Sequence, residues 1–417
     1  MIRNILILTA VILSLLALSA AAQVQIHSVW TGSQDNLWDN QFNWDPNIVP
    51  NNSPTRTFKV TINNTNSPDD NIEFWMDWKT ITIDVMYCSG DVDLEIGTRD
   101  LILLDPNGLT NFGELEISGE GVDHTVIGRF INTQTGYFEV SGEIEFLGDV
   151  INYGAILAPP DGMLCAENDL INYGTITCYN GEVSAENLFD NTPGAVLQGF
   201  GLFYADTEFR NRGTLRVYGG PLTLASAGMI NNLGIITNAS LTSINIAHIG
   251  LPLDFNNYGT LRINQGGGIG IDTNLNNQPD GVIELFGGTL AAQSISQPCG
   301  ADFSGFGGIT GDVNMINNSL IQLTGPTNII GDVNLENDAA LEISDGQTLI
   351  TGPTVNDGAI NLIGGTVIFQ GGYSGSGTLD YTPGVYRNHF DINADGIVNM
   401  IDFALFSHSY LWQAPWR

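Results

Sequence analysis

Two segments that lie one period apart, INYGAILA at 151–158 and INYGTITC at 171–178, determine the predicted fold. In each, an asparagine stands two residues before a glycine, and a short alternating segment typical of a β-strand follows. Related segments recur at steps of about 20 residues, and a fixed period of that size predicts a solenoid. The repeated asparagines are Asn111, Asn132, Asn152, Asn172, Asn191, Asn211, Asn232, Asn257, Asn277, Asn317, Asn337 and Asn356, with Gln297 at the position missing between Asn277 and Asn317.

The segments between these asparagines indicate which kind of solenoid to expect. They are short and alternating, and almost none carries a helical stripe, so about 20 residues hold three short strands with bends. Leucine-rich repeats have a similar period but need a leucine frame that this chain lacks. We therefore predict an all-β chain whose residues 101–380 form a right-handed parallel β-helix of roughly 13 coils.

The repeated asparagine is predicted to be structural. It turns inward at the corner of each coil and bonds to the asparagine of the next coil, because its short amide tolerates left-handed corner conformations. The alternative is a ladder of ligand-binding residues. Aromatic residues follow the asparagine in several coils, and we expect Tyr153 and Tyr173 to stack. A sugar-stacking stripe is the alternative for this set, which comprises Phe112, Tyr153, Tyr173 and Tyr258.

Residues 1–22 have the pattern of an export signal. Arg3 precedes an apolar run over 5–18, and small residues at 20–22 come before Gln23. An uncleaved anchor is the alternative, but the run is short for a bilayer span. We expect a secreted or cell-surface protein with no membrane span after cleavage.

Residues 23–100 differ from the repeats and are rich in tryptophan, with Trp30, Trp38 and Trp44 close together. We predict a β cap that covers the open end of the first coil. A small carbohydrate-binding surface made of tryptophan faces is the alternative. The segment from Trp30 resembles the start of exported bacterial β-helix proteins of the pectin-lyase-like and autotransporter-passenger-like kinds.

The charge balance excludes several partners. The chain has 45 acidic and 12 basic residues, a formal net charge of −33, so it repels nucleic acid and anionic membrane surfaces. Divalent cations and neutral partners suit it better. The four cysteines are too few for a disulfide scaffold; a pair between Cys165 and Cys178 remains open.

The most specific motif is DINADGIVNMID at 391–402. Its oxygen-bearing residues occupy positions 1, 3, 5, 9 and 12 of a calcium loop, position 6 is glycine, and the residue at position 7 offers its carbonyl. We predict calcium as the cofactor. The predicted ligands are Asp391, Asn393, Asp395, Ile397, Asn399 and Asp402.

Residues 388–412 resemble a dockerin type I repeat, in which a calcium loop is followed by a short helix such as the one expected from Phe403. The resemblance implies that calcium folds this element and that a cohesin-like or cell-surface protein binds it. The family carries two such repeats, and this sequence contains one. We place a linker at 381–387 and a dockerin-like half module at 388–417.

No active site is evident. β-Helix enzymes that cleave polysaccharides use clustered carboxylates with an arginine or lysine near the bond that is cleaved. The repeats contain no lysine, Asp69 and Asp70 lie in a turn-like segment, and the repeat arginines are expected to form surface pairs; these are Arg210, Arg212, Arg216 and Arg262. Coils stack about 4.8 Å apart, so a catalytic carboxylate pair can arise without a motif.

We therefore predict a non-catalytic surface or extracellular-matrix protein and assign no catalytic residue. A dockerin-bearing polysaccharide hydrolase or lyase is the first alternative. A carbohydrate-binding module, with polysaccharide as the partner, is the second.

Overall fold

The computed structural model describes residues 23–64, 71–74, 80–96, 100–118, 124–239, 241–249, 253–380 and 385–388. Within these ranges the protein is an all-β parallel β-solenoid with about 14 turns in total, which confirms the predicted fold class. The chain divides into two compact units, Met1–Val150 and Ile151–Arg417. The export signal at 1–22, the Asp69–Asp70 turn and the calcium loop lie outside the described residues.

The first unit has one short 3-10 helix, Gln41–Asn43, among its described residues. Its strands are Val24–Trp30 (β1), Trp44–Asp45 (β2), Arg56–Asn64 (β3), Asn71–Phe74 (β4), Ile81–Ile83 (β5), Val85–Ile96 (β6), Leu101–Leu103 (β7), Leu109–Asn111 (β8), Glu114–Ser118 (β9), His124–Ile127 (β10), Phe130–Asn132 (β11), Tyr137–Val140 (β12) and Glu143–Phe146 (β13).

The second unit follows, and β14 (Val150–Asn152) contains the boundary. Its other strands are Ala155–Ala158 (β15), Met163–Ala166 (β16), Leu170–Asn172 (β17), Thr175–Ala185 (β18), Leu188–Asn191 (β19), Val196–Ala205 (β20), Glu208–Asn211 (β21), Thr214–Ser226 (β22), Met229–Asn232 (β23), Ile235–Asn238 (β24), Ser243–His248 (β25), Phe255–Asn257 (β26), Thr260–Asn264 (β27), Gly268–Ile271 (β28), Leu275–Asn277 (β29), Val282–Gln297 (β30), Asp302–Met315 (β31), Leu320–Ile330 (β32), Val333–Leu335 (β33), Ala340–Ile343 (β34), Gln347–Ile350 (β35), Thr354–Asn356 (β36), Ala359–Leu362 (β37), Thr366–Phe369 (β38), Tyr373–Ser374 (β39), Thr378–Asp380 (β40) and Val385–Asn388 (β41).

Parallel pairing between equivalent strands of successive coils builds each unit. In the second unit Ile176 of β18 pairs with Ile156 of β15 and Leu197 of β20, and all three side chains are buried. In the first unit Leu115 of β9 pairs in the same way with β6 and β12. Because strand residues alternate between faces, each coil contributes one row of apolar side chains to the interior and one outward row.

The repeated asparagines form the predicted inward ladder. In the second unit each Nδ2 donates to the side-chain oxygen of the next coil at 2.7–2.9 Å. In the first unit Asn111 donates to Asn132 at 2.9 Å. Gln297 accepts from Asn277 at 2.8 Å and so takes the missing position, as predicted. The members in the second unit are Asn152, Asn172, Asn191, Asn211, Asn232, Asn257, Asn277 and Gln297.

The glycine two residues after many of these asparagines has a steric cause. A Cβ at Gly174 would clash with the backbone carbonyl oxygen of Gly154, and a Cβ at Gly259 would clash with that of Gly234. Backbones of successive coils therefore touch at this corner. Only glycine permits that approach, which explains why the Asn-x-Gly pattern recurs.

Asn317 and Asn337 do not belong to the ladder, so their predicted inward orientation is wrong. Both are exposed, and the pairing register puts Met315 and Leu335 at the inward position instead. Each lies in a turn whose following residue adopts a left-handed conformation, with φ of 57° at Asn318. Asparagine suits such turns, so composition alone did not distinguish the turn position from the ladder position.

The three tryptophans near the beginning of the described chain are buried. Trp44 packs edge-on against Trp30 and Trp38, with ring centroids 4.9 and 4.5 Å away. The indole nitrogen of Trp44 donates to the carbonyl of Trp38 at 2.8 Å. Their faces are covered, which contradicts the alternative of a carbohydrate surface made of tryptophan faces. β1 pairs in parallel with β3, so parallel strand pairing begins with the first strand of the described chain.

Cys165 and Cys178 do not form a disulfide in the described chain. Cys178 points into the core and is fully buried, whereas Cys165 follows the buried Leu164 and lies at an outward position of β16. The two sulfurs are therefore on opposite sides of the wall, which settles the pairing that the sequence left open.

Candidate functional site

The residues predicted to bind calcium, 391–402, lie outside the described residues, so their arrangement stays a prediction. Within the described ranges no group of three or more histidine, cysteine, aspartate or glutamate side chains is placed to hold a metal ion. The strongest candidate site in the described chain is a set of stacked carboxylates on the outside of the first unit.

Asp93, Glu116 and Glu139 form what we call the carboxylate column. Asp93 of β6 pairs in register with Glu116 of β9, which pairs in turn with Glu139 of β12. The neighbours of each along its strand point inward, so all three carboxylates face outward on successive coils. Adjacent strands lie about 4.8 Å apart, which places carboxylate next to carboxylate.

Hydrogen bonds from the neighbouring coil hold two of these carboxylates, and Tyr137 of the same strand donates to the third, Glu139. Ser118 donates to Oδ1 of Asp93 at 3.2 Å, and Ser141 donates to Oε1 of Glu116 at 2.6 Å. Both serines come from the neighbouring coil. The column is therefore a fixed arrangement of side chains, because each bond restrains a side-chain rotamer.

Burial and neighbouring charge alter the titration of the column. Partial burial, followed by the negative charge of Glu116, raises the pKa of Asp93 to about 6, while the bond from Ser118 acts in the opposite direction. Burial and the nearby Glu139 raise the pKa of Tyr137 to about 12; its hydroxyl donates to Glu139 at 3.3 Å. Asp93 thus retains a proton at a pH where an ordinary aspartate is fully ionised.

A protonated carboxyl beside an ionised one can act as a general acid and base pair. Glycosidases of the retaining type place their two carboxyl groups about 5–5.5 Å apart, which is close to the strand spacing. No arginine or lysine of the described chain forms an ion pair with the column. The arrangement therefore supplies acid and base groups but not the cation that uronate-cleaving enzymes use.

Sequence reasoning did not identify this column, although a signal was present. The acids lie in three alternating segments, DVDLEI at 91–96, ELEI at 114–117 and YFEV at 137–140, and the three column members are 23 residues apart. This spacing of 23 residues differs from the period of about 20 in the main repeat, so the repeated asparagines do not indicate that the three acids are neighbours.

Surface ion pairs were predicted for four repeat arginines, and three of the four form them. Both partners lie on the same coil or on neighbouring coils, and the arginine side chains are 33–47% exposed. Arg216 is exposed. Carboxylates neutralise the three paired guanidinium groups, so these arginines do not constitute an anion-binding site. The pairs are Arg210–Glu208, Arg212–Asp190 and Arg262–Glu284.

Tyr153 and Tyr173 stack as predicted, with ring centroids 4.9 Å apart and an interplanar angle of 8°. Each is about half exposed. Since the rings lie face to face along the stacking direction, each covers one face of the other. This favours a structural aromatic ladder over a stripe on which sugars stack.

Comparisons with known proteins assign no relative. No family model, no curated protein and no solved structure matches the chain. None of the described segments forms a helix long and apolar enough to cross a membrane.

Proposed function

We propose that this protein is an exported, non-catalytic β-solenoid that serves as a surface or extracellular-matrix component. On this proposal the calcium-binding element at 388–417 attaches it to an assembly through a cohesin-like or cell-surface protein. The observation that carries the proposal is the combination of a solenoid body with a loop that has calcium-ligand spacing at 391–402. The export-type segment at 1–22 and the charge of −33 agree with an extracellular, calcium-rich setting.

The signal and calcium parts of this proposal have separate tests. Amino-terminal sequencing of the exported protein should begin at Gln23; retention of residues 1–22 on a cell-bound protein contradicts cleavage. Calorimetry should give one calcium site with a Kd of roughly 10⁻⁴ to 10⁻³ M, the range of extracellular modules.

Asp391→Ala should abolish the calcium heat, because position 1 of the loop supplies a direct ligand. Asp302→Ala is the matched control, since Asp302 is an exposed outward acid in β31. Binding of immobilised cohesin-like domains should require calcium and be lost in Asp391→Ala only. Equal heats in wild type and Asp391→Ala, or cohesin binding that is insensitive to chelators, would contradict the attachment role.

A second candidate function is cleavage of polysaccharides, which the carboxylate column specifically favours. In this case Asp93, with its raised pKa, is the general acid, and Glu116 is the nucleophile or base. Purified protein would be screened on acidic and neutral polysaccharides, with and without calcium. Turnover that disappears in Asp93→Asn and Glu116→Gln but persists in Glu342→Gln, an outward acid of β34, would establish the enzyme. Absence of turnover across the screen supports the non-catalytic proposal.

A further inference from the structure

A second set of outward polar residues lies on the second unit, directly beside the inward asparagine ladder. We call it the amide strip. Its members occupy one register column over six successive coils and are all half-buried, pointing away from the core. The members are Asn231, Asn256, Asn276, Ser296, Asn314 and Asn334.

The amides of the strip are oriented by hydrogen bonds. Asn256 donates to Oδ1 of Asn231 at 3.3 Å, and its own Oδ1 accepts from Gln278 at 3.1 Å. Asn276 donates to Oδ2 of Asp254 at 3.0 Å. Their polar groups are therefore presented at fixed positions about one strand spacing apart, which lowers the entropy that binding costs.

Exposed apolar side chains lie beside the first two coils of the strip. Leu233 and Tyr258 each follow a ladder asparagine, and these asparagines pair in register, so the two side chains lie on neighbouring coils. Leu233 is 46% exposed and Tyr258 is 45% exposed. Met229, 48% exposed, lies two residues before Asn231 in β23. Adjacent exposed apolar groups that flank polar ones are typical of a binding surface.

The fold does not require amides in this column. Ile171 in β17 and Val355 in β36 occupy the same outward position in other coils of the same unit. β-Branched residues are favourable on an outward strand face, and the inward ladder already provides the amide bonds at the corner. The outward amides form a second, half-buried set of bonds between coils, with Asn276 donating to Asn256 at 3.5 Å and Asn334 to Asn314 at 2.9 Å, in addition to the inward ladder.

We propose that the amide strip, together with Leu233 and Tyr258, binds a neutral polysaccharide whose chain runs from coil to coil. Sugars combine hydroxyl groups, which amides and carboxylates bind, with an apolar ring face, which leucine and tyrosine side chains contact. An anionic glycan does not fit, because Glu208 and Asp254 border the strip and Arg210 is held by Glu208. This proposal goes beyond the attachment function and does not depend on calcium binding.

The test is affinity electrophoresis of the full chain in gels that contain soluble β-glucan, mannan, galactan or polygalacturonate, run in chelator. We expect retardation by at least one neutral polymer and none by polygalacturonate. Tyr258→Ala and Asn256→Val should each weaken binding about tenfold, because each removes a side chain that contacts the sugar in the proposed site. Asn256→Val installs a residue that the same column already carries at Val355, so the variant should fold.

Two matched controls locate the site. Tyr153→Ala removes an equally exposed tyrosine of the stacked pair, and Asn361→Ala removes an outward amide of β37; both should bind as wild type. No retardation by any neutral polymer, preference for polygalacturonate, unchanged binding in Tyr258→Ala and Asn256→Val, or loss in Tyr153→Ala would each overturn the proposal. Because chelator is present throughout, failure here is independent of the calcium element.

Discussion

Asn172 offers the most direct test of the ladder, since every polar atom of its side chain has a partner. Nδ2 donates to Asn191 at 2.9 Å and to the carbonyls of Gly174 and Val196 at 3.2 Å each. Oδ1 accepts from Asn152 at 2.8 Å and from the backbone N–H of Gly174 at 3.2 Å. The residue is fully buried, so water does not replace a lost partner.

Asn172→Leu keeps the volume and removes these bonds. Oδ1 of Asn191 loses its amide donor, and the N–H of Gly174 loses its side-chain acceptor; Asn152 retains carbonyl acceptors at 3.3 and 3.1 Å. A buried polar group that loses its partner costs about 1–3 kcal/mol, so two of them cost about 2–6 kcal/mol. For a unit of this size each kcal/mol lowers Tm by about 2–4 °C, which predicts a decrease of at least about 4 °C.

The assay is calorimetric or circular-dichroism melting of the full chain, with the transition of the second unit as readout. Asn317→Leu is the matched control, because the sequence pattern selects both asparagines but only Asn172 is in the ladder. Asn317→Leu, an exposed turn substitution, should stay within about 0.5 kcal/mol of wild type. A melting temperature of Asn172→Leu within about 1 °C of wild type, or an equal loss in Asn317→Leu, would refute the reasoning.

Three further predictions concern coil contact, charge and burial. Gly234→Ala should lower stability by about 1–3 kcal/mol through overpacking against the preceding coil, whereas Gly270→Ala, whose Cβ would be 3.9 Å from its nearest neighbour, should be tolerated in the same melts. The raised pKa of Asp93 means that its carboxyl favours the fold while protonated, and this contribution disappears as pH rises from 3.8 through about 6. Asp93→Asn should therefore raise Tm at pH 8 and leave it unchanged at pH 3.5; an equal change at both contradicts this. Cys88 and Cys178 are fully buried, and burial raises the pKa of both thiols, so thiol reagents should modify them only on unfolding; labelling of either in the native protein contradicts the core assignment.

The solenoid was predictable because the contacts that stabilise it recur from coil to coil. An amide that must meet the next amide, and a glycine that must let two backbones touch, recur wherever the corner recurs, as at Asn172 and Gly174. The same reasoning identified Gln297, whose longer side chain reaches the same acceptor position. It failed at Asn317, where asparagine serves a left-handed turn.

The carboxylate column and the amide strip were not predictable for a different reason. Each consists of contacts between coils on the outer face. Which residues meet there depends on where in each coil the residues that exceed the regular period are inserted. From Asn232 to Asn257 the step is 25 residues, yet the two amides still bond at 2.7 Å. The additional residues are accommodated elsewhere in that coil, so sequence spacing does not reveal which outward side chains become neighbours.

The fold therefore restricts the residue type at the inward positions of a strand more strongly than at its outward positions. The inward position beside each corner is occupied by asparagine in coil after coil, because an unpartnered buried amide is costly. The outward neighbour is isoleucine at Ile171, asparagine at Asn256 and valine at Val355, all in the same column. The amides between Asn231 and Asn334 bond to one another across coils, but they are half-buried, so water can replace a lost partner. Binding is therefore the property that substitutions in this column should change most.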